Sequence, residues 1–170
     1  MKVFKEEQRF SQSWLIALII ISTIVPLIIV IKKYLDKNIS VETSEFIGTI
    51  GLMLALTSFI FFCKLKTRID EKGVYYQFVP FHFSLKLISW NQIQTAQIRK
   101  YDAITEYGGW GLKSVALWNR SRGKSITVSG NIGIQLVLKD GKKILIGTQN
   151  EQDARRVLTQ YINRTENNEN

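Results

Sequence analysis

Two uninterrupted apolar runs dominate the first part of the chain. Phe10 to Ile31 and Phe46 to Cys63 contain no charged residue. As helices rising about 1.5 Å per residue they would extend roughly 33 and 27 Å, against a hydrocarbon core of about 30 Å. The pattern predicts a two-helix membrane hairpin over residues 1–63, with its helices at 10–31 and 46–63. Trp14 and Tyr34 fall near the ends of the first helix, where amphipathic rings prefer to sit. Pro26 removes a backbone donor and is expected to kink that helix. Neither run holds Asp, Glu, Lys, Arg or His, which argues against transport or ion conduction by the hairpin itself.

After Lys64 the pattern changes to short alternating segments separated by turn residues, the signature of strands. The alternation draws strands at Leu65–Asp70, Val74–Val79, Ser84–Ser89, Gln94–Tyr101, Leu112–Leu117, Ser125–Ser129, Ile134–Lys139 and Lys142–Gly147. Asp70-Glu71-Lys72-Gly73 is a short polar link, and Asp140-Gly141 predicts a type I′ hairpin turn with positive φ at both positions. The period then lengthens. Asn150 is a candidate N-cap with Glu151 and Asp153 in the first turn, and Ala154, Val157, Leu158, Tyr161 and Ile162 form one apolar stripe. Residues 164–170, rich in Asn and Glu, are predicted to be a disordered tail. The fold class expected is a membrane α-hairpin plus a mainly β domain over 64–163, a small barrel of about seven strands capped by one C-terminal helix.

Charge sharpens this picture. The 170 residues carry a formal net charge of +9, nearly all of it in Lys64–Asn170, so a domain held at a membrane would feel an anionic leaflet. Lys2, Lys5 and Arg9 flank one end of the hairpin and Lys64, Lys66, Arg68 and Lys72 the other, against Lys32, Lys33 and Lys37 in the connecting loop. The positive-inside rule therefore predicts a two-span protein of the cell inner (plasma) membrane with both termini cytoplasmic. The first run exceeds a signal-peptide core and no small-x-small cleavage site precedes Lys32, so it is expected to be retained. Cys63 is the only cysteine, which excludes an intramolecular disulfide. It reads as a small hydrophobe at a helix end, with reversible acylation as the alternative.

Three further segments occur in order before the final helix: Tyr107-Gly108-Gly109-Trp110-Gly111, Ser129-Gly130-Asn131-Ile132-Gly133 and Ile146-Gly147-Thr148. In these the chain resembles the bacterial pleckstrin-homology-like (bacterial PH) domains that follow transmembrane helices. In particular it resembles a family of small bacterial membrane proteins whose domain carries YGGWG, SGN-x-G and a hairpin ending in IGT. The resemblance covers Leu65 to Ile162 and implies a PH-like barrel. It implies no activity, since such domains serve as binding or oligomerisation modules, and it carries over no catalytic residue.

Each candidate site has two readings. Ser44, Gly48, Gly51, Ala55 and Ser58 keep small side chains on one face of the second helix. That face is expected to pack on the first helix of the same hairpin, or alternatively on a second copy or a partner membrane protein. Trp110 could enter a membrane interface or a partner pocket, or fold over the open end of the barrel where its flanking glycines allow. Arg120, Arg122 and Lys124 make a compact basic loop that suits anionic lipid or a phosphorylated ligand, or else a solvated hairpin tip. Gly123-Lys124-Ser125 resembles the end of a phosphate-binding loop, but Trp118 stands where that motif needs glycine. The Asp70–Gly73 turn lacks the basic residues with which eukaryotic PH domains hold phosphoinositides.

His82, the only histidine, is expected at a loop or edge, and a lone histidine suggests no metal site. Asp102 and Glu106 lack a spacing that implies paired acid–base chemistry. No recognition helix or aromatic RNA-binding motif accompanies the positive charge, so no nucleic-acid partner is expected. The expectation is thus a non-enzymatic, cofactor-free binding or scaffolding module, with the bilayer and a protein partner or second copy as its company. The alternative is a sensor of anionic lipid headgroups or phosphorylated ligands.

Overall fold

A computed structural model of the chain describes residues 2–36, 42–113 and 123–168, with side chains as far as Asn163. The chain divides into two compact units, one formed by Phe10–Cys63 and the other by Met1–Arg9 with Lys64–Asn170.

The first unit is a helix pair, α1 (Ser13–Leu35) and α2 (Thr43–Phe62), each long and apolar enough to cross a bilayer. α1 outruns its expected end because Lys32 and Lys33 lie in its last turn, where cations oppose the negative end of the helix dipole. Pro26 lies inside this continuous helix. The helices meet along half-buried stripes at Ile19, Thr23, Leu27, Val30 and Tyr34 on one side and Phe46, Ile50, Met53, Thr57 and Ile60 on the other. The Thr23 and Thr57 hydroxyls hydrogen-bond at 2.9 Å, and the Tyr34 and Phe46 rings stack at 4.1 Å. At mid-helix each of these hydroxyls also lies within reach of a carbonyl of its own helix, Ile19 or Met53, so the single proton on each threonine has an acceptor in the apolar surrounding.

The second unit is mainly β, with two sheets and one long C-terminal helix. The first sheet is antiparallel with order β1-β2-β3-β4: Phe4–Arg9, Lys64–Asp70, Gly73–Val79 and Lys86–Ser89. β1 is not anticipated by the alternation, which has only Phe4 as an apolar marker. It pairs with β2 from Phe4↔Ile69 to Arg9↔Lys64, so both ends of the helical insert leave the sheet at adjacent, paired positions. Phe4, Glu6 and Gln8 share the face of Leu65, Thr67 and Ile69, while Lys5, Glu7 and Arg9 share that of Lys64, Lys66 and Arg68.

A 3-10 turn at Trp90–Gln92 leads into the second sheet, order β5-β8-β9-β7-β6: Ile93–Lys100, Ile132–Leu138, Lys143–Gly147, Lys124–Thr127 and Gly111–Lys113. Its β7–β9 pair is parallel and the others antiparallel. Among the described residues the two sheets are not joined by strand pairing into a closed barrel. The core is built from Phe4, Leu65, Ile69, Val74, Phe78, Ile126, Val128, Ile134, Leu136, Leu145 and Ile146. A short helix α3 (Ala103–Tyr107) follows β5.

Helix α4 (Glu151–Asn168) lays Ala154, Val157, Leu158 and Tyr161 against the core. Tyr161 stacks on Trp90 at 5.6 Å and its hydroxyl donates to the Lys2 carbonyl. Its backbone stays helical through Asn168, where the composition predicts a disordered tail from residue 164. The β8–β9 turn also departs from expectation. Gly141 has φ +81° but Asp140 does not have positive φ, and the Gly141 N–H donates to the Leu138 carbonyl. This is a type I turn closed by a left-handed glycine rather than type I′, and the Asp140 carboxylate accepts from the Lys142 N–H.

Candidate functional site

The three glycine-containing motifs converge on one corner of the β domain. In the first, α3 ends in an αL motif: Gly108 takes φ +70° and its N–H donates to the Ile104 carbonyl, while the Gly109 N–H donates to the Ala103 carbonyl. This turns Trp110 back onto Tyr101, Ala103, Tyr107 and Leu145. Its indole N–H donates to the Gly130 carbonyl of the second motif at 2.9 Å. The Tyr101 N–H in turn donates to Asn131. In the third motif the Gly147 carbonyl accepts from Gln8 Nε2 at 2.7 Å, and the Thr148 hydroxyl and Gln149 N–H both donate to the Glu6 carboxylate. Ser129 and Gln149 side chains join the same network. The IGT segment therefore clamps β1, the strand that precedes the helical insert.

Arg99 organises the other side of this corner. Its guanidinium grips both Glu106 carboxylate oxygens (3.2 and 2.8 Å), the Tyr107 hydroxyl and the Gln135 amide oxygen. Glu106 also accepts the Asp102 N–H, and Asp102 caps α3 by accepting from Ile104 and Thr105. Both carboxylates thus have structural partners. Burial pushes the Tyr101 phenol up to about 12, so it stays protonated. An open cleft of about 500 Å³ lies alongside, with Lys100, Asp102, Ile104, Trp110 and Asn131 in its walls.

Lys124 turns inward. Its ammonium sits 5.3 Å from the centre of the Tyr76 ring and 3.5 Å from the Tyr76 hydroxyl, and burial lowers its pKa. Arg120 and Arg122 lie outside the described residues. The basic loop therefore contributes one described lysine, and that one is engaged with an aromatic ring across the two sheets.

His82 lies in the loop between β3 and β4, as expected, but its side chain is buried there. Its Nδ1 accepts the Phe78 N–H at 3.1 Å, which leaves the ring proton on Nε2, and its own N–H donates to the Phe78 carbonyl. Its carbonyl takes a hydrogen bond from Gln77, and its ring meets Tyr76 edge-on. Burial first, then the charges of Lys86 and Lys124, lower its pKa below the ordinary 6.5. A neutral folded-state imidazole stabilises the domain above about pH 6.5, and that contribution is lost as pH falls toward the folded value. Thermal melts at pH 7.5 and 5 should show a lower midpoint at pH 5, with a smaller drop in His82→Asn, whose amide oxygen replaces Nδ1. An equal drop in both proteins would refute this assignment.

The small-residue face of α2 does not meet α1. Ser44, Gly48, Gly51, Ala55 and Ser58 are exposed and stand two residues, or about 200° of helix, from the contact stripe. A Cβ built on Gly48 or Gly51 finds nothing within 4 Å. Packing on the first helix of the same hairpin is thereby corrected: larger side chains fill that contact. Among the described residues no group of His, Cys, Asp and Glu is placed to hold a metal ion. Cys63 caps α2, its thiol against the Phe59 carbonyl. No protein-family model matches the chain, and comparison with curated proteins returns no match.

Proposed function

We infer that the protein is a membrane-held, non-enzymatic binding or scaffolding module, with a PH-like domain facing the cytoplasm and a hairpin spanning the inner membrane. The observation that carries this reading is the Arg9↔Lys64 pair. A sheet that closes across both ends of a bilayer-length insert holds its domain at the membrane surface by two covalent connections. This suits a module that presents a surface there. It supports a topology with both termini on one side, as the distribution of basic residues also does.

Among the described residues the groups considered for chemistry have structural partners: Asp102 caps a helix, Glu106 grips Arg99, and His82 holds a turn. The partner proposed is a protein reached through the exposed small-residue face of α2, foremost a second copy of the hairpin. The lipid or phosphate sensor built on Arg120, Arg122, Lys124 and Trp110 draws less support, because Lys124 lies on Tyr76 and Trp110 is bonded to Gly130.

Energy transfer between donor- and acceptor-labelled full-length copies in vesicles tests the proposal. Transfer above the random-encounter level should fall at least several-fold in Gly51→Leu, whose side chain blocks close helix approach. Transfer that is unchanged by Gly51→Leu, or absent at every protein density, would remove self-assembly through this face.

A further inference from the structure

A second exposed surface lies on the β domain. The segment between β3 and β4, Pro80 to Leu85, alternates about His82. Because the His82 ring is buried and bonded to Phe78, the residues on either side face outward: Phe81 is 56% exposed and Phe83 99%. Leu85 and Leu87 continue this exposed apolar surface along the sheet edge. A soluble surface rarely concentrates such groups without a use, since burying one phenylalanine is worth roughly 1.5–3 kcal/mol.

The charge beside it is mainly positive. On the outer face of the first sheet Lys5 pairs in register with Arg68, and Lys64 with Arg9, while Lys66 lies between. Lys86, exposed at the end of the loop where β4 begins, is paired with Tyr76 and so flanks the loop from the other face of the sheet. The carboxylates on this face, Glu7 and Asp70, are already engaged with these cations. A cleft of about 360 Å³ lies among Lys5, Lys66, Arg68 and Leu85, so the cationic and apolar groups border one recess.

Register sets where this surface falls. Val79, the last residue of β3, pairs with Lys64, and Lys64 is the second residue after the final helical residue of α2. The loop therefore starts at the strand end from which the chain enters its membrane-length helix. Glu71, in the turn at the opposite end of β2 and β3, is about 20 Å away along the strands.

We propose that the Pro80–Leu85 loop is a bilayer-docking element: Phe81 and Phe83 enter the headgroup–acyl boundary while Lys66, Arg68 and Lys86 meet anionic headgroups. The occupant is the lipid surface itself, because charge sign, apolar tip and proximity to the chain's exit agree on it. Docking would fix the orientation of the domain on its anchor and so select which face is offered to a partner. This rests on α1 and α2 spanning a bilayer.

The test uses the full-length chain with Cys63→Ser, reconstituted in phosphatidylcholine vesicles with or without phosphatidylglycerol. A fluorophore is attached to a cysteine placed at Ser84, Glu71 or Leu54, and nitroxide lipids quench it from the headgroup or mid-chain level. Leu54, within α2, reports the span by mid-chain quenching. Headgroup quenching at Ser84 and not at Glu71, stronger with phosphatidylglycerol, is the expected result. Phe83→Asp, at a solvent-exposed site, should lower the docked-to-undocked ratio about tenfold or more. Quenching at Leu54 without quenching at Ser84 overturns the docking loop alone. Loss at both overturns the membrane reading beneath it. Equal Ser84 quenching without phosphatidylglycerol overturns the role given to the lysines and arginine.

Discussion

A fragment beginning at Lys64 and running to Asn170 is expected not to melt cooperatively, although it contains every strand that the alternation pattern draws. It lacks β1. That strand supplies Phe4, 4% exposed, and Gln8, 3% exposed, to the interior of the β domain. It also brings the Glu6 carboxylate to the Thr148 hydroxyl and Gln149 N–H, and the Gln8 amide to the Gly147 carbonyl. Loss of the Phe4 burial removes about 2 kcal/mol, and each bond to the carboxylate is worth roughly 1.5–3 kcal/mol. The sum approaches the whole stability of a domain, about 5–15 kcal/mol. β2 would become an open edge besides.

The complementary expectation is that joining Arg9 to Lys64 through a short glycine-containing turn, with 10–63 removed, yields a soluble, cooperatively folding domain, since Arg9 and Lys64 are already register partners. Circular dichroism melts of the two proteins decide the matter. A fragment 64–170 that melts as sharply as the rejoined chain, within a few degrees, would refute the role given to β1.

The difficulty of seeing β1 in the sequence has a physical cause. Strand reading relies on alternating apolar positions, and in Phe-Lys-Glu-Glu-Gln-Arg the inward positions after Phe4 are Glu6 and Gln8. They are admitted to the interior by partners in the segment 147–149, more than 130 residues away. No local pattern can announce such pairing. By contrast β2, β3, β5, β8 and β9 were legible within a residue or two, because Val, Ile, Leu and Tyr alternate against polar neighbours and Gly or Asp marks each turn.

The candidate sites divide in the same manner. A stripe of small residues is visible in α2, yet periodicity defines a face without saying what lies opposite, and every face of that helix is apolar enough to be the contact. The contact lies at Phe46, Ile50, Met53, Thr57 and Ile60, where large side chains and one half-buried hydroxyl pair fill the gap. For Trp110 the three flanking glycines leave both a surface contact and a folded-back ring open, and in the structure the ring packs on Tyr101 and Tyr107. Its anchor, the Gly130 carbonyl, follows only from the fold. The Arg99 hub escaped notice altogether. An arginine in an alternating strand reads as a solvated side chain until α3 places Glu106 and Tyr107 over it.

Gly73→Ala should be among the most damaging single substitutions, at about 3 kcal/mol or more of folding free energy. Gly73 closes the β2–β3 turn with φ +152°, and a Cβ there would stand 2.1 Å from the Ile88 carbonyl oxygen and 2.9 Å from Ser89 Cα. These are backbone atoms of β4, held by the Gly73↔Ser89 and Val74↔Ile88 pairs, so no side chain can swing aside. Relief requires β4 to separate from β3 at that end. The movement would disturb Trp90, whose N–H groups bond the Asp70 and Lys72 carbonyls and whose ring stacks on Tyr161 of α4. Gly141→Ala is the matched control. Its φ of +81° is also unfavourable for alanine, but a Cβ there meets nothing within 4 Å. It should lose only the backbone cost, about 1–2 kcal/mol. Denaturant unfolding of the rejoined soluble domain measures both, and equal losses would show that β4 yields without cost. If the larger loss is found, faster amide exchange at Val74 and Ile88 should accompany it, because the strain enters the molecule through that strand pair.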